Sequence, residues 1–376
     1  MPELVVLTEQ LLAPVPGGTG RYTRELAAAL AATAPAGWEV TGVIARHPDP
    51  TAAVIPGVLG PRMLPLPRRA LTLAWQYGLP LWPGGDSVHA PTPLAPAAPR
   101  RGRGLVVTVH DTVPWTHPET LTRRGVAWHR SVIGRAVRRA DALVVPTAAV
   151  ETELARFVPG PARVHVVGEG VASVLTAAIP ADSATTIVRR LGLPERYVLA
   201  VGTVEPRKGI DVLIEAMARP TAPELPLVLV GPPGWGGVSV GELARRHGLA
   251  PERLVVLGRI SDRELSVVLG RATVLAAPSR AEGFGLPVLE AMAAGVPVVH
   301  SDAPALAEVA GGAGIAVPRG DATALAAALR QVSGDPRRAA TMVEAGLRRA
   351  GRYGWRAAAE AVWRVHVELY RRPTRG

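Results

Sequence analysis

Residues 279–301 read Ser279-Arg-Ala-Glu282-Gly-Phe-Gly-Leu-Pro-Val-Leu-Glu290-Ala-Met-Ala-Ala-Gly295-Val-Pro-Val-Val-His-Ser301. An apolar run, Val274–Ala277, leads in, and a second, Val296–Val299, leads out. The order is strand, glycine loop, helix, strand. Pro287 suits the first helical turn, where its missing N–H costs nothing, and Gly295 suits the C-cap. The loop then presents backbone N–H groups at a helix N-terminus, where phosphate oxygens bind readily. Glu282 falls in the loop and Glu290 one turn into the helix, eight positions on. Both are placed to face one crevice and to accept hydrogen bonds from sugar hydroxyls. Acidic residues also favour first turns for the helix dipole alone. A lone Glu would therefore say little, and it is the whole window that points to a site.

Outward from this window the next signal is a residue kept once. The chain has no Asn and no Cys, Phe stands only at 157 and 284, and of 42 basic residues one is lysine, Lys208. It lies in Val201-Gly-Thr-Val-Glu-Pro-Arg-Lys-Gly-Ile210, a Gly-flanked turn between an expected strand, Tyr197–Val201, and an expected helix, Ile210–Ala218. Strand-to-helix turns are where α/β sheets bind ligands. An ammonium is a compact point charge and a guanidinium a planar fork. A pyrophosphate pocket has use for both Arg207 and Lys208. The alternative is one exposed lysine surviving by chance.

Strand and helix signals alternate twice over, as in doubly wound sheets. The first half offers strands Leu4–Leu7, Val40–Ala45, Val106–Val109, Ala142–Val145 and Val164–Val167, with helices such as Arg21–Thr33 and Ala149–Phe157 between them. The second offers strands Tyr197–Val201, Leu227–Gly231, Leu254–Leu257, Val274–Ala277 and Val296–Val299, and helices Asp262–Leu269, Leu286–Ala294, Ala322–Val332 and Arg337–Ala350. The Ala/Ser/Thr-rich stretch Gly168–Arg190 reads as the linker. Two domains result, 1–175 and 176–354, at the usual size of roughly 100–200 residues each.

Composition narrows the class. Hydrophobic residues make up 48% of 376, ample for two cores, and the 40 Gly and 37 Pro punctuate apolar runs as turns. No apolar stretch reaches the roughly 18 residues of a membrane span. The N-terminus enters a strand directly, without a secretory leader, so a cytoplasmic protein is expected. Zero Cys excludes disulfides and Cys-ligated metal, and the nine His residues form no H-E-x-x-H pattern, so metal is not indicated. The net charge of +11 has three competing explanations: nucleic acid, an anionic membrane or carrier-lipid phosphate, and compositional bias. Nucleic-acid binders bring a module or stacking aromatics; with 4% aromatics and no module, no nucleic acid is expected. Leu121–Ala140 sets Val126, Trp128, Val132, Ile133, Ala136 and Val137 among six arginines. It reads either as a membrane-surface helix, giving peripheral contact at the inner membrane face, or as a helix covering a sheet with its charged face in water.

These windows together resemble the retaining nucleotide-sugar glycosyltransferases of the GT-B architecture marked by a Glu-x7-Glu motif, glycosyltransferase family 4, in its mannosyltransferase-like branch. The motif matches Glu282 and Glu290, and the basic pair matches Arg207-Lys208. Pro16-Gly-Gly-Thr-Gly-Arg-Tyr-Thr-Arg-Glu-Leu26 resembles the N-terminal glycine loop and its helix, and Val106-Val-Thr-Val-His-Asp-Thr-Val-Pro-Trp-Thr-His-Pro-Glu119 the His-Asp segment. Coverage runs from residue 3 to about 370. One departure is Gly209, where the family commonly has Asn; Gly is a slightly poorer N-cap.

The resemblance implies two Rossmann-like domains facing across a cleft, acceptor on the first and donor on the second. The last helix, Trp355–Tyr370 within 355–376, would cross back onto the first domain. It also implies roles. Arg207 and Lys208 neutralise the donor diphosphate as the glycosidic bond breaks. Glu290 accepts from the ribose hydroxyls. Glu282, with the N–H groups of Phe284, Gly285 and Leu286, holds sugar hydroxyls and a phosphate oxygen. Gly17 and Gly18 let backbone approach the diphosphate or acceptor. His110 steadies the sugar's 6-hydroxyl or the developing charge, although a strand-end His is often purely structural. Gly258 and Ile260 contact the base. Tyr22 and Asp111 touch the acceptor, although Asp111 also suits a turn cap. The expected reaction moves a hexose, mannose from GDP-mannose, to a glycan, lipid-linked or small-molecule alcohol with retention, by a front-face route and without a cofactor. The alternatives are a non-catalytic nucleotide-binding scaffold of the same fold and a basic nucleic-acid-binding protein.

Overall fold

The computed structural model describes residues 1–79 and 81–371. The chain divides into two compact units: Met1–Gly170 together with the chain from Gly354 on, and Val171–Tyr353. The first unit is built on strands β1 (Glu3–Leu7), β2 (Glu39–Arg46), β3 (Leu59–Pro67), β4 (Ser87–Ala90), β5 (Gly104–Thr108), β6 (Ala142–Val145) and β7 (Arg163–Val166). They form one parallel sheet in the order β3-β2-β1-β4-β5-β6-β7. Helices α1 (Gly17–Ala32), α2 (Arg68–Gln76), α3 (Val113–Thr116), α4 (Arg123–Arg139) and α5 (Ala148–Phe157) connect them.

The second unit carries β8 (Val198–Val201), β9 (Leu227–Val230), β10 (Leu254–Gly258), β11 (Val274–Ala277), β12 (Val298–Ser301) and β13 (Ile315–Val317). Its helices are α6 (Ser173–Thr176), α7 (Ala181–Leu191), α8 (Ile210–Ala218), α9 (Val240–His247), α10 (Asp262–Gly270), α11 (Leu286–Ala293), α12 (Pro304–Ala310), α13 (Ala322–Gly334) and α14 (Pro336–Ala350). The sheet is parallel with order β10-β9-β8-β11-β12-β13, the Rossmann arrangement in which chain order reverses beside the first strand. Strands covered on both faces must be apolar throughout. Leu227–Val230 is fully buried, and Ile210, Leu213, Met217, Leu325 and Leu329 close over that sheet from α8 and α13.

A final helix, α15 (Trp355–Arg371), returns to the first unit. Its Trp363 Nε1 donates to the Leu30 carbonyl at the end of α1 (3.0 Å), and the same ring meets Trp38 edge-on at 5.3 Å. Residues 372–376 of the expected 355–376 segment lie outside the described residues.

Two expectations change, and a choice left open for one helix is narrowed. The unit boundary falls at Gly170/Val171 instead of 175/176. Most of the expected linker Gly168–Arg190 is ordered as α6 and α7, anchored by buried Leu175 and Ile187, apolar points too sparse to stand out among Ala, Ser and Thr. The basic helix α4 turns the C-terminal part of its apolar stripe inward: Val132 is buried, and Ile133, Ala136 and Val137 belong to the core of the first unit. That is the sheet-covering reading. Among the described residues, no helix is long and apolar enough to cross a membrane.

Candidate functional site

In the second unit, the loops leaving adjacent strands β8 and β11 diverge at the point where chain order reverses, which opens a crevice beyond the carboxyl ends of the strands. The β8 loop carries Arg207 and Lys208, and the β11 loop carries Ser279 to Gly285. Topology therefore brings together two windows 74 positions apart. Lys208 Nζ donates to Glu282 Oε1 at 2.5 Å, and Arg207 Nη1 donates to Glu282 Oε2 at 2.8 Å and to the Ala281 carbonyl at 3.0 Å. Ser279 Oγ donates to Glu282 Oε1 at 2.7 Å. Glu205 takes the other arm of Arg207 at 2.7 Å. Arg280 braces the loops from behind, bonding both oxygens of Asp211 (3.2 and 2.6 Å) and the Pro206 carbonyl (2.6 Å).

Burial alone would raise the Glu282 pKa. Lys208 and Arg207, with hydrogen bonds from Lys208 and Ser279, overcome this and hold the carboxyl at about 2. Glu282 is thus ionised at neutral pH and held between two cations, one of which, Arg207, also pairs with Glu205. Such a site can accept an incoming anion, because charge-assisted contacts to phosphate oxygens would replace contacts to the carboxylate.

Backbone shape explains two glycines. Gly209, the N-cap of α8, has φ +66°, and a Cβ there would stand 2.2 Å from the Pro278 carbonyl oxygen. The departure from Asn is thus a steric requirement of the two loops, not a weaker cap. Gly285, the N-cap of α11, has φ +96°, and a Cβ would stand 2.3 Å from Leu306 Cδ2. Pro287 lies in the first turn of α11, as its chemistry demands. Phe284 and Leu286 are buried, the Phe284 ring edge-on to Tyr353 at 5.5 Å, so what these positions offer a ligand is backbone N–H. Glu290 is 1% exposed, well inside the wall, whereas the Glu282 side chain is 10% exposed. Gly258 ends edge strand β10, its carbonyl accepting from Gly231 N–H at 2.8 Å, and half-buried Ile260 follows. Both lie two strands from the reversal point.

In the first unit, His110 stands just beyond β5. Its Nε2 meets the Pro91 carbonyl at 2.8 Å, and its Nδ1 lies 3.7 Å from Glu169 Oε1. Burial would lower its pKa, but Glu169, Pro91 and Asp111 outweigh that and raise it, favouring the imidazolium. Glu169 carried no signal in the sequence. Tyr22 is a correction. It is 3% exposed, its hydroxyl is bonded to Thr108 Oγ1 at 3.1 Å, and its ring lies edge-on to His110 at 4.6 Å. It supports His110 from behind and has no surface for an acceptor. From Thr108 a buried chain continues to His89 (3.2 Å), His366 on α15 (3.2 Å) and Ser87 (2.6 Å). Asp111 Oδ1 accepts from Val113 N–H at 3.1 Å, a turn cap. Gly17 and Gly18 form the first turn of α1 instead of a loop before it, because that helix begins four residues ahead of Arg21.

Comparison with known proteins agrees with this fold. Residues 185–349 match the family described as Glycosyl transferases group 1, and residues 16–173 match Glycosyltransferase Family 4. The O-antigen chain mannosyltransferase B of Escherichia coli is 30% identical over 261 residues, covering 68% of each chain. The D-inositol 3-phosphate glycosyltransferase of Kineococcus radiotolerans is 35% identical over 267 residues, 64% of this chain and 60% of that protein. Among solved structures, the sucrose-phosphate synthase of Thermosynechococcus elongatus superposes with a TM-score of 0.75 at 25% identity, over 98% of this chain and 99% of that one.

Proposed function

Because the chain belongs to the group 1 and family 4 glycosyltransferases, with the two Rossmann-like units of the GT-B architecture, we propose that it moves a hexose from a nucleoside-diphosphate sugar to an alcohol with retention at the anomeric carbon. The observation that carries this is the ionised Lys208–Glu282–Arg207 cluster at the strand-order reversal of the second unit. The donor diphosphate docks on Arg207 and Lys208 and on the N–H groups at the start of α11. These cations stabilise negative charge on the leaving phosphate as the bond from anomeric carbon to phosphate oxygen breaks. Glu282, freed in part from its cations, turns to the sugar hydroxyls, and Glu290 holds the ribose.

The acceptor occupies the first unit near His110. Its oxygen bonds to the anomeric carbon on the face the phosphate leaves, and its proton passes to the departing phosphate oxygen. His110 as imidazolium offsets charge on the reacting sugar. Mannose is the proposed sugar and GDP-mannose the proposed donor. The Escherichia coli relative, a mannosyltransferase, supports the sugar. The test is turnover with a panel of UDP-, GDP- and ADP-sugars, with the product linkage read by NMR. Retention with GDP-mannose is the expected result. An inverted product would overturn the front-face route, and turnover confined to another donor would overturn the mannose assignment.

A further inference from the structure

The first unit holds a cavity of about 410 Å³ between α2, α4 and the carboxyl ends of its central strands, within the range of about 300–1,000 Å³ usual for small-molecule sites. One side of it is apolar, with Leu64 from β3, Leu71 and Trp75 from α2, and Trp128 and Ile133 from α4; polar groups, among them Gln10, Thr19, Thr72 and Thr92, line the rest. Leu71, Trp75 and Ile133 are fixed in the core, and Trp128 is half-buried. His110 and Asp111 also line this cavity.

The charged groups around it already have hydrogen-bond or ion-pair partners. Glu9, 5% exposed, accepts from Ala45 N–H at 2.8 Å and pairs with His47 at 2.9 Å and Arg68 at 3.6 Å. Asp111 is held by Val113 N–H, and His110 by Glu169 and Pro91. His129, also in the wall, is pushed by burial towards its neutral form. A charged ligand would lose its hydration here and compete with these existing contacts. A neutral apolar body would instead bury its surface against the half-buried Trp128 and Leu64, which the core residues Leu71, Trp75 and Ile133 back.

We propose that this cavity seats a compact apolar group, aromatic or alicyclic, carried by the acceptor alcohol, whose reacting hydroxyl lies towards His110 and Asp111. The proposal rests on the glycosyltransferase reading and narrows its acceptor from any alcohol to one with an apolar body. A long lipid chain would offer the same apolar chemistry, but the half-buried apolar surface here is confined to Trp128 and Leu64, a patch of ring size.

The test is binding of methyl, 4-nitrophenyl and dodecyl glycosides of one sugar to the full chain, by calorimetry. The dodecyl compound is kept below its micelle concentration, and each titration is run with a saturating nucleoside diphosphate. The 4-nitrophenyl glycoside is expected to bind at least tenfold more tightly than the methyl glycoside, the scale set by several apolar carbons leaving water. Trp128→Ala, and separately Leu64→Gln, should reduce that preference to within about threefold. Equal binding of the methyl and 4-nitrophenyl compounds, including no measurable binding of either, overturns the proposal. So does a preference that survives both substitutions. Tightest binding of the dodecyl compound assigns the cavity to a lipid chain and overturns the compact-group reading. Nucleoside diphosphate binding, measured separately, reports on the donor site: its absence beside an intact aryl preference would mean that the glycosyltransferase reading has failed and not this cavity.

Discussion

His366 Nε2 and His89 Nδ1 lie 3.2 Å apart, joining α15 to β4 across 277 positions of sequence. The direction of the protons follows from the ends of the chain. Ser87 Oγ donates to the Gly104 carbonyl at 3.4 Å, so it accepts from His366 Nδ1–H. His366 Nε2 then accepts from His89 Nδ1–H, and His89 Nε2 from Thr108, which accepts from Tyr22. Each ring is neutral and fixed in one tautomer. Burial, helped by the charge of His110, pushes His89 from 6.5 to about 3, and burial with His89 beside it holds His366 well below 6.5. A His whose folded pKa is depressed destabilises the fold wherever the unfolded chain binds the extra proton. This contribution is therefore intact above pH 6.5 and lost as pH falls towards about 3. At about 1.4 kcal/mol per unit, His89 alone loses roughly 3 kcal/mol by about pH 4. Thermal melting from pH 4.5 to 8 should show a steep acid fall, and His366→Gln should melt lower at pH 7.5 but fall less steeply. An unchanged slope would count against the neutral pair.

Lys208→Ala should lower kcat about a hundredfold or more with the fold intact, because its contact with the leaving phosphate matters most in the transition state. Lys208→Arg should rescue little, since a planar fork does not replace a point charge beside Arg207. Only Lys208 and the N-terminus carry amines. Amine labelling followed by peptide mapping should therefore show Lys208 protected by saturating nucleoside diphosphate. Equal labelling rates would remove it from the phosphate site.

The two glutamates should separate by ligand. Glu290→Gln is expected to weaken nucleoside diphosphate and sugar nucleotide alike, by about tenfold. Glu282→Gln is expected to spare the free diphosphate and penalise the sugar nucleotide. Calorimetry on both variants decides, and identical losses would show the roles wrongly divided.

Glu169→Gln removes the main partner that keeps the His110 pKa raised, so the pKa should fall. If the imidazolium is the working form, the alkaline limb of the kcat profile moves to lower pH in the variant. An NMR titration of the ring gives the same shift independently of turnover. A profile that stays in place would make His110 a structural residue.

Much of the architecture was legible because buried parallel strands are apolar on both faces, as in Leu4–Leu7 and Ala142–Val145. The missed strands fail that rule for separate reasons. Edge strand β3 is mostly exposed and holds Pro61, Pro65 and Pro67. Within β4, Ser87 and His89 interrupt the apolar pattern, though both are buried in polar contact with α15. Strand β13 has three residues. At the site, Arg207, Lys208 and Glu282 could be read because each sits in a strand-to-helix turn with local glycine chemistry. Glu169 and the Arg280–Asp211 brace could not, since their meaning lies in pairings 59 and 69 positions long that leave no periodic trace.

The return of α15 to the first unit also sets an order of assembly during synthesis. Residues 1–170 emerge first, but the surface that receives Trp355, Trp363 and His366 stays uncovered until the whole of Val171–Tyr353 has been translated. The second unit, continuous in sequence, can therefore finish folding before the first, against the usual N-to-C succession of domains. A chain ended at Tyr353 and released from the ribosome should resist protease over Val171–Tyr353 while Met1–Gly170 is still cut. The second unit would then be complete before the first, although it comes later in the sequence.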